Sequence, residues 1–484
     1  MTSNTTLQSR GSYRAIDFLR AVTHVSIIAF HSAMLTTGHL PSSGDIWIAY
    51  KNSWWYTFAL SGGIQVDIMF LISGFLLVNS LLSSHDQKQH KFPSVFTTIG
   101  KRYLRLLPPM MVLSLSGIIM GDTWDTDKST APSAWIRIIA TWLGISNYLS
   151  VSKYGSFTHS LCWSCNVDIQ VHAVILILHT LLRGGAKSLL SKQNMAKRFR
   201  WVFFILLIVS LAIRGYLFDK DRLNLFLLGQ YSHFGLLMTD SSYHWMQHQY
   251  NHTWHTKNDA HEISEYYFNN MYSPTHTRFG PFLIGGILAC NLALAEGTEG
   301  KKRSFLGYIM LSIFTLLSIV QILVPCFPPE DSAPIEAQII ATVAIRTLAA
   351  TAVSFLLYRS LLPSTHSWSW PTLPYSDFGY KTLSTILVPI ANLSYCSYLL
   401  HFRILMELAF QPVTHQYLLQ LSKNKLPWIP LEPSDKIDNG NEGVKYLWYL
   451  FLTGSVVSYI FSYFLHNFVE VPTINAMKGK SKRM

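Results

Sequence analysis

The sequence predicts an all-α integral membrane protein with about ten transmembrane helices and both termini in the cytosol. Only 13% of the 484 residues are charged, whereas soluble proteins average about 25%. Apolar runs recur along the whole chain, many close to the ~20 residues that cross a bilayer. The net charge is +12, and cytosolic loops of multi-span proteins retain positive charge. A disordered or nucleic-acid-binding chain is excluded, because those classes are poor in aliphatic and aromatic residues.

Ten apolar runs are predicted to be spans. They lie at residues 16–37, 57–82, 105–121, 163–184, 200–218, 279–296, 304–325, 335–360, 386–411 and 445–467. The stretch 133–149 has a short apolar core that carries Arg137, so we interpret it as interfacial or re-entrant. The first run is too long for a signal peptide, lacks a small-residue cleavage site, and contains Arg20, His24 and His31, so we expect it to be retained as a span.

Basic residues determine the predicted orientation. If the N-terminus is cytosolic, a topology with ten spans places every Lys and Arg cluster of the short loops on the cytosolic side. A topology with eleven spans does not. The cytosolic clusters then include Arg10 and Arg14, Lys88 to Arg102, Arg183 to Arg200, Lys301 to Arg303, and Lys478 to Arg483. The opposite loops, such as 121–130 and 326–336, are acidic or neutral.

The domain organisation is predicted to be simple. Residues 1–484 form a single transmembrane domain, without an internal repeat or a second domain. Residues 219–277 form a large outer loop, which carries the sequon Asn251-His252-Thr253. Residues 478–484 form a basic cytosolic tail; its lysine spacing resembles an endoplasmic-reticulum retrieval signal, although ordinary positive-inside charge explains it equally well. The localisation is therefore the endoplasmic reticulum or the plasma membrane.

Ionisable residues within the spans are the candidate functional groups, because each costs several kcal/mol at depth unless it is paired or hydrated. In the first span Asp17, Arg20, His24 and His31 recur at intervals that place them on one helix face. Arg20 and His31 are separated by about 16 Å of helical rise. The alternative for a single histidine such as His24 is a hydrogen bond between helices.

The other spans supply possible partners at two predicted depths. Arginines lie at the predicted cytosolic end of the spans, and a set of histidines and aspartates lies closer to the outer side. Arg346 lies midway along the eighth span. It either takes part in the chemistry or forms an ion pair with a buried carboxylate. This separation fits a site in which an anionic ligand enters from the cytosol and a proton is transferred at greater depth in the membrane. The inner group is Arg20, Arg102 and Arg105, and the outer group is His31, Asp67, Asp168 and His401.

Seven sequence blocks, in order along nearly the whole chain, resemble the membrane acyltransferase 3 family, in the animal branch that includes the nose-resistant-to-fluoxetine proteins. The first two are IDFLRA followed by His31, similar to the LDxLRA opening with its arginine-x10-histidine pair, and QVDIMFLISGFL, similar to VDxFFxxSGFL. The blocks occupy residues 16–31, 65–76, 102–108, 162–170, 277–285, 393–401 and 470–472. The extra N-terminal domain of the nose-resistant type is not expected here.

The resemblance implies an O-acyltransferase that moves an acyl group, usually acetyl, from cytosolic acyl-coenzyme A to a hydroxyl of a carbohydrate or lipid at the far side. His31 would be the general base, with Arg20, Asp67 and Asp168 in the catalytic set and either aspartate orienting the imidazole. Arg102 and Arg105 would bind the coenzyme A phosphates. Further site candidates are His401, Arg346, Arg278 and Ser73. Acyl-coenzyme A is expected as a substrate, and no bound cofactor is expected.

No metal site is predicted. The pair Cys162 and Cys165 would need two further ligands to hold zinc, and the histidines between 244 and 261 lack a strict ligand pattern. Two other functions remain open. Intramembrane His, Asp and Arg also occur in proton-coupled transporters or carriers, although no inverted repeat is visible. The third possibility is a regulatory protein that has lost its chemistry, although both Arg20 and His31 are retained.

Overall fold

The regular elements of the described residues are all helical in the computed structural model. It describes residues 4–39, 62–85, 95–119, 131–149, 162–183, 190–221, 268–295, 343–361, 377–410, 414 and 438–481. The α-helices are α1 (Asn4–His39), α2 (Gly62–Ser83), α3 (Val95–Ile119), α4 (Ala131–Trp142), α5 (Trp163–Arg183), α6 (Lys192–Asp221), α7 (Thr275–Arg278), α8 (Gly280–Ala295), α9 (Ile345–Leu361), α10 (Asp377–Phe410), α11 (Asp438–Leu465) and α12 (Val471–Ser481). Phe268–Tyr272 and His466–Glu470 are π-helical.

Four segments among the described residues are long and apolar enough to cross a membrane: Ile64–Ser83, Trp163–Arg183, Lys192–Asp219 and Lys445–Met477. Gly280–Ala295 and Arg346–Tyr358 are shorter apolar helices. The all-helical prediction is therefore confirmed for the described residues. The number ten and the cytosolic termini stay predictions, and the predicted span 304–325 lies outside the described residues.

The stretch that we interpreted as interfacial or re-entrant forms the short helix α4. Its 12 residues rise about 18 Å, well short of the ~30 Å hydrocarbon core. Gly144 then turns the chain with a φ of +78°, a conformation that glycine adopts without steric cost. Arg137 within α4 is only 2% exposed, whereas Trp135, Ile136 and Ile139 are 49%, 48% and 49% exposed, so one face of this helix packs against the protein and an apolar face stays exposed.

The closest helix crossing joins α2 to α8, and two glycines make it possible. A Cβ atom on Gly74 would lie 2.2 Å from the carbonyl oxygen of Phe282, and one on Gly285 would lie 2.0 Å from the carbonyl oxygen of Leu71. The two backbones are therefore in direct contact, as small residues allow in membrane helix pairs. This crossing holds Asp67 on α2 next to Arg278, just before α8 begins.

A second group of helices packs α1 against α10 and α11. Its centre is tight: a Cβ atom on Gly454 of α11 would lie 2.3 Å from the Leu405 side chain of α10. Helix α1 also packs against α2, and α3 packs against α5, α10 and α12. The predicted site residues lie on α1, α2, α3, α5, α7, α9 and α10.

Candidate active site

Two buried histidines face each other across the α1–α10 interface. His31 Nδ1 lies 3.0 Å from His401 Nε2, and the two residues are 7% and 0% exposed. The Phe402 ring packs against the His31 ring at a centroid distance of 4.9 Å. The pair therefore lies in an apolar environment that strengthens the electrostatic interactions within it.

The backbone carbonyls around the pair determine which nitrogens carry protons. His401 Nδ1 lies 2.7 Å from the carbonyl oxygen of Tyr398, and a carbonyl can only accept a hydrogen bond. The neutral His401 ring is therefore protonated at Nδ1 and has its lone pair at Nε2. His31 Nδ1 points at this lone pair and at the carbonyl oxygen of Ile27, 3.1 Å away, so it carries the proton. The neutral His31 ring consequently has its lone pair at Nε2, which is the atom that a general base uses.

A third histidine extends this cluster towards α11. His24 Nδ1 hydrogen-bonds with the Tyr459 hydroxyl at 2.7 Å, and the His24 ring packs edge-on against His401 at 5.9 Å between centroids. This arrangement agrees with the alternative interpretation of His24 as a hydrogen-bonding residue between helices. The contacts link α1, α10 and α11 around His401.

Asp67 lies between two arginines. Its Oδ1 is 2.7 Å from Nη1 of Arg278, and both side chains are 1% exposed. Arg346 Nη1 lies 3.8 Å from the other carboxylate oxygen, in agreement with the structural alternative given for Arg346. The guanidinium of Arg278 stacks on Tyr272 at 4.0 Å and on Trp163 at 4.9 Å from the ring centres. One carboxylate thus faces two guanidinium groups, and the cluster has an excess positive charge.

This Asp67–Arg278 cluster also contains unsatisfied polar atoms. Within the described residues, Asp67 Oδ2 and Arg278 Nη2 have no hydrogen-bond partner. Buried polar atoms normally have one, so each such exception calls for an explanation. A polar group of a ligand is one explanation.

Asp168 on α5 forms an ion pair with Arg102 on α3. Arg102 Nη2 lies 2.7 Å from Asp168 Oδ2, and Nε donates to the same oxygen at 3.0 Å. The Ser73 hydroxyl donates to Asp168 Oδ1 at 2.5 Å. His172 Nδ1 lies 2.8 Å from the backbone carbonyl oxygen of Asp168. Asp168 therefore fixes the position of Arg102 and ties α2, α3 and α5 together.

The three predicted inner-mouth arginines do lie near one another. Arg20 interacts electrostatically with both Arg102 and Arg105. The side chains of Arg102 and Arg105 are 30% and 44% exposed. Arg105 Nε also donates to Glu470 Oε1 at 3.1 Å. Arg102 and Arg105 are thus partly exposed cations, and each is held by a buried carboxylate, Asp168 and Glu470 respectively.

Two expectations from the sequence need correction. Asp168 does not belong to a separate outer group, because it pairs directly with Arg102 of the inner group. The group in contact with His31 Nδ1 is His401, whereas Asp67 is engaged by Arg278 and Asp168 by Arg102. Hydropathy gives the depth of a residue only coarsely, and long arginine side chains reach across more than one helical turn.

Glu470 was quoted in the sequence blocks but was not selected as a site residue. It is 1% exposed and is in contact with Arg105, Cys396 and His466. Its position just after the predicted last span, two residues before Pro472, was the available signal. The π-helical turn that directs it inward could not be predicted from hydropathy. Tyr272, which stacks on Arg278, carried no such signal.

Comparison with known proteins identifies the family. A family profile described as an acyltransferase domain, that of acyltransferase 3, matches residues 13–465. No curated protein matches the chain, and no solved structure does. The match extends from α1 to α11 and includes the histidine pair, Asp67, Asp168 and the five arginines of the candidate site, Arg20, Arg102, Arg105, Arg278 and Arg346. The chain therefore belongs to the acyltransferase 3 family of membrane acyltransferases.

Proposed function

We propose that this protein is an O-acyltransferase that moves an acetyl or related acyl group from cytosolic acyl-coenzyme A to a hydroxyl of a carbohydrate or lipid acceptor at the lumenal or extracellular side. The single observation that carries the proposal is the His31–His401 pair, within a chain of this family. A buried imidazole whose Nε2 lone pair is fixed by a hydrogen bond at Nδ1 has the chemistry of a general base.

His31 would act on the acceptor hydroxyl. Its Nε2 takes the proton as the hydroxyl oxygen attacks the thioester carbonyl, and the coenzyme A thiolate leaves. The resulting imidazolium is stabilised by its Nδ1–H, which donates to His401 Nε2. The proton then passes to the departing thiolate. His401 is thus a positioning residue, in the role that the resemblance implied for Asp67 or Asp168.

The arginine group would bind the donor. Arg20 lies within electrostatic range of Arg102 and Arg105, and guanidinium groups suit the phosphates of coenzyme A because they can form paired, charge-assisted hydrogen bonds. Asp168 and Ser73 hold Arg102 in place. We therefore assign Asp168 to donor binding through Arg102. Acyl-coenzyme A is a substrate in this scheme, and no resident cofactor is required.

The Asp67–Arg278 cluster would bind the acceptor. Its unsatisfied atoms, Asp67 Oδ2 and Arg278 Nη2, offer one acceptor and one donor, which suits a hydroxylated molecule. Arg346 adds a second cation at this place.

We retain the ten-span topology with both termini cytosolic, the likeness to the animal nose-resistant-to-fluoxetine branch, and a location in the endoplasmic reticulum or plasma membrane as parts of the proposal.

Release of free coenzyme A from acetyl-coenzyme A by the purified protein tests the proposal. The wild type should release thiol when supplied with total membrane lipid and sugar acceptors, and His31→Ala should lower the rate by about 10²–10⁴-fold. His179→Gln is a matched control, because His179 pairs with His85 in a separate contact; it should retain the wild-type rate. Equal rates in wild type and His31→Ala across acyl donors would contradict an enzymatic function.

The transporter alternative predicts a different result. A proton-coupled carrier would move a substrate and protons across sealed vesicles without releasing coenzyme A. A regulatory protein would do neither. Measuring thiol release and vesicle pH in the same preparation therefore distinguishes the three functions.

A further inference from the structure

Three potential metal ligands converge beside Arg105, and none of the three takes part in a chemical step of the proposed acyl transfer. They are Cys396 on α10, and His466 and Glu470 from the π-helical turn that joins α11 to α12. One ligand atom from each, the Sγ, the Nδ1 and a carboxylate oxygen, lie within 4.8 Å of one another. Cys396 and Glu470 are 0% and 1% exposed.

The separations resemble those of a tetrahedral metal site. Cys396 Sγ lies 3.4 Å from Glu470 Oε2, and His466 Nδ1 lies 2.8 Å from the same oxygen. With ordinary zinc bond lengths, tetrahedral ligands would be about 3.5 Å apart for a sulfur–oxygen pair and about 3.3 Å apart for a nitrogen–oxygen pair. Small side-chain rotations would therefore place all three atoms around one ion.

We propose that Cys396, His466 and Glu470 bind one Zn²⁺ ion. A thiolate, an imidazole and a carboxylate form a mixed set that suits zinc, whereas Mg²⁺ and Ca²⁺ prefer oxygen ligands alone. Three protein ligands leave a fourth position for water or another ligand. No metal site is predicted from the sequence, in which Cys396 lies far from His466 and Glu470 and the three residues lack a zinc-motif spacing.

Arg105 supports this site instead of competing with it. Its Nε donates to Glu470 Oε1 at 3.1 Å, while the other oxygen, Oε2, faces Cys396 and His466. Metal-binding carboxylates are commonly held in this way by a second hydrogen bond. The site would thus connect the metal to one arginine of the donor-binding group, although metal binding does not depend on the proposed acyl transfer.

The π-helical turn explains how the ligands come together. Such turns are rare insertions in α-helices and often occur at functional sites. Here the turn spans His466–Glu470, and it directs both side chains towards α10. A bound ion would link α10 to the continuous helix formed by α11 and α12.

Binding of Zn²⁺ would leave the three-ligand site electrically neutral. Without metal, the Cys396 thiol donates a hydrogen bond to the Glu470 carboxylate. Glu470 Oε2 also accepts a hydrogen bond from His466 Nδ1, so the metal-free His466 ring carries a proton there. Zn²⁺ displaces the Cys396 thiol proton, which is released to solvent, and the neutral His466 ring moves its proton from Nδ1 to Nε2. The thiolate and the Nδ1 lone pair then both bind the ion. Two anionic ligands and one divalent ion give a neutral centre, and Arg105 keeps its positive charge.

Metal analysis of the full-length protein tests this proposal. The protein is purified in detergent without a polyhistidine tag, stripped with a chelator, and titrated with Zn²⁺ and then with Co²⁺ alone. We expect about one equivalent of either ion per chain, and for Co²⁺ a thiolate-to-metal charge-transfer band in the near ultraviolet. Cys396→Ser should abolish that band and weaken zinc binding by at least ~100-fold, more than the ~10–100-fold expected for loss of a supporting group.

Cys290→Ser provides the matched control, because Cys290 is also fully buried but lies on α8. This variant should keep the charge-transfer band. His466→Asn is a second variant in case Cys396→Ser does not fold; it should also weaken zinc binding by at least ~100-fold. Absence of metal binding by the wild type, or a cobalt spectrum without a thiolate band, would overturn the proposal. So would metal binding that is equal in the wild type and a folded Cys396→Ser or His466→Asn variant.

Discussion

At the residue scale, the hydrogen bond between His31 and His401 determines which nitrogen of His31 can act as a base. The carbonyl oxygen of Tyr398 fixes the proton on His401 Nδ1, and this in turn orients His31. The neutral His401 ring is a favourable partner for His31 in this apolar environment, because burying an additional charge there would cost free energy. The site thus differs from a triad with a carboxylate as its third member.

His401→Gln tests this arrangement. An amide oxygen can still accept the Nδ1–H of His31, so we expect His401→Gln to retain more activity than His401→Ala. His401→Ala should lower the rate of coenzyme A release by about 10²-fold or more, at the lower end of acid–base effects. The comparison uses kcat for variants with unchanged melting temperatures. Equal activity of His401→Ala and the wild type would contradict a positioning role.

Asp67 should be important for stability. Removing one member of a buried ion pair costs about 3–5 kcal/mol, because the partner is left uncompensated. We therefore expect Asp67→Ala to reduce the stability of the detergent-solubilised protein by this amount, measured by thermal unfolding. The double variant Asp67→Ala/Arg278→Met should recover part of the loss, since it removes the buried cation that Asp67 contacts at 2.7 Å. Additive losses would contradict this coupling.

Much of the candidate site was recognisable from the sequence at this scale. The cost of an ionisable group in a bilayer singled out His31, Asp67, Asp168, Arg346 and His401. Their pairing could not be predicted, because it depends on helix rotation and on long side chains. The sequence therefore favoured a carboxylate next to His31, whereas the contact comes from a histidine.

At the scale of elements, the α2–α8 crossing keeps Asp67 close to Arg278. Gly74 and Gly285 allow the backbones to touch, and any side chain there would meet a carbonyl oxygen at 2.2 Å or less. The same glycines lie within the sequence blocks 65–76 and 277–285. Their presence in those blocks therefore has a packing explanation that is independent of the chemistry.

Gly74→Ala and Gly285→Ala should each destabilise the protein by about 1–3 kcal/mol or more, because overpacking forces the two helices apart. Gly100→Ala on α3 is the matched control, since a Cβ atom there meets nothing within 4 Å. It should be neutral or stabilising by up to about 1 kcal/mol through helix propensity. The measurement is thermal unfolding in detergent. A loss of stability in Gly100→Ala that equals the other two would contradict the argument.

Helix positions could largely be predicted, but helix ends could not. Apolar runs determined where helices lie, because apolar side chains must be buried or face lipid. Helices α1, α3 and α10 begin at residues 4, 95 and 377, before the predicted spans at 16, 105 and 386. The segment of each helix that precedes the apolar core contains polar or charged residues, so hydropathy alone does not include it. The π-helical turn at His466–Glu470 likewise leaves no mark in the hydropathy pattern.

At the scale of the whole molecule, the proposed topology puts the loop 219–277 and the tail 478–484 on opposite sides of the membrane. Expressed in animal cells, the protein should carry a glycan on Asn251, seen as a mobility shift that glycosidase and Asn251→Gln both remove. Asn392 heads a second sequon, but it lies within α10, and Asn392→Gln should leave the shift unchanged. A glycan on a sequon introduced into the tail would contradict the predicted orientation.

We propose above that the protein, with His31 as general base, transfers an acyl group from a donor on the cytosolic side to an acceptor on the other side of the membrane. Sealed membrane vesicles from cells that express the protein, with the cytosolic face outward, are supplied with acetyl-coenzyme A labelled in the acetyl group. We predict label in an enclosed, alkali-labile ester fraction with the wild type, and label at the level of control vesicles with His31→Ala. Equal labelling by the two proteins would contradict the claim, as would label confined to the outer face.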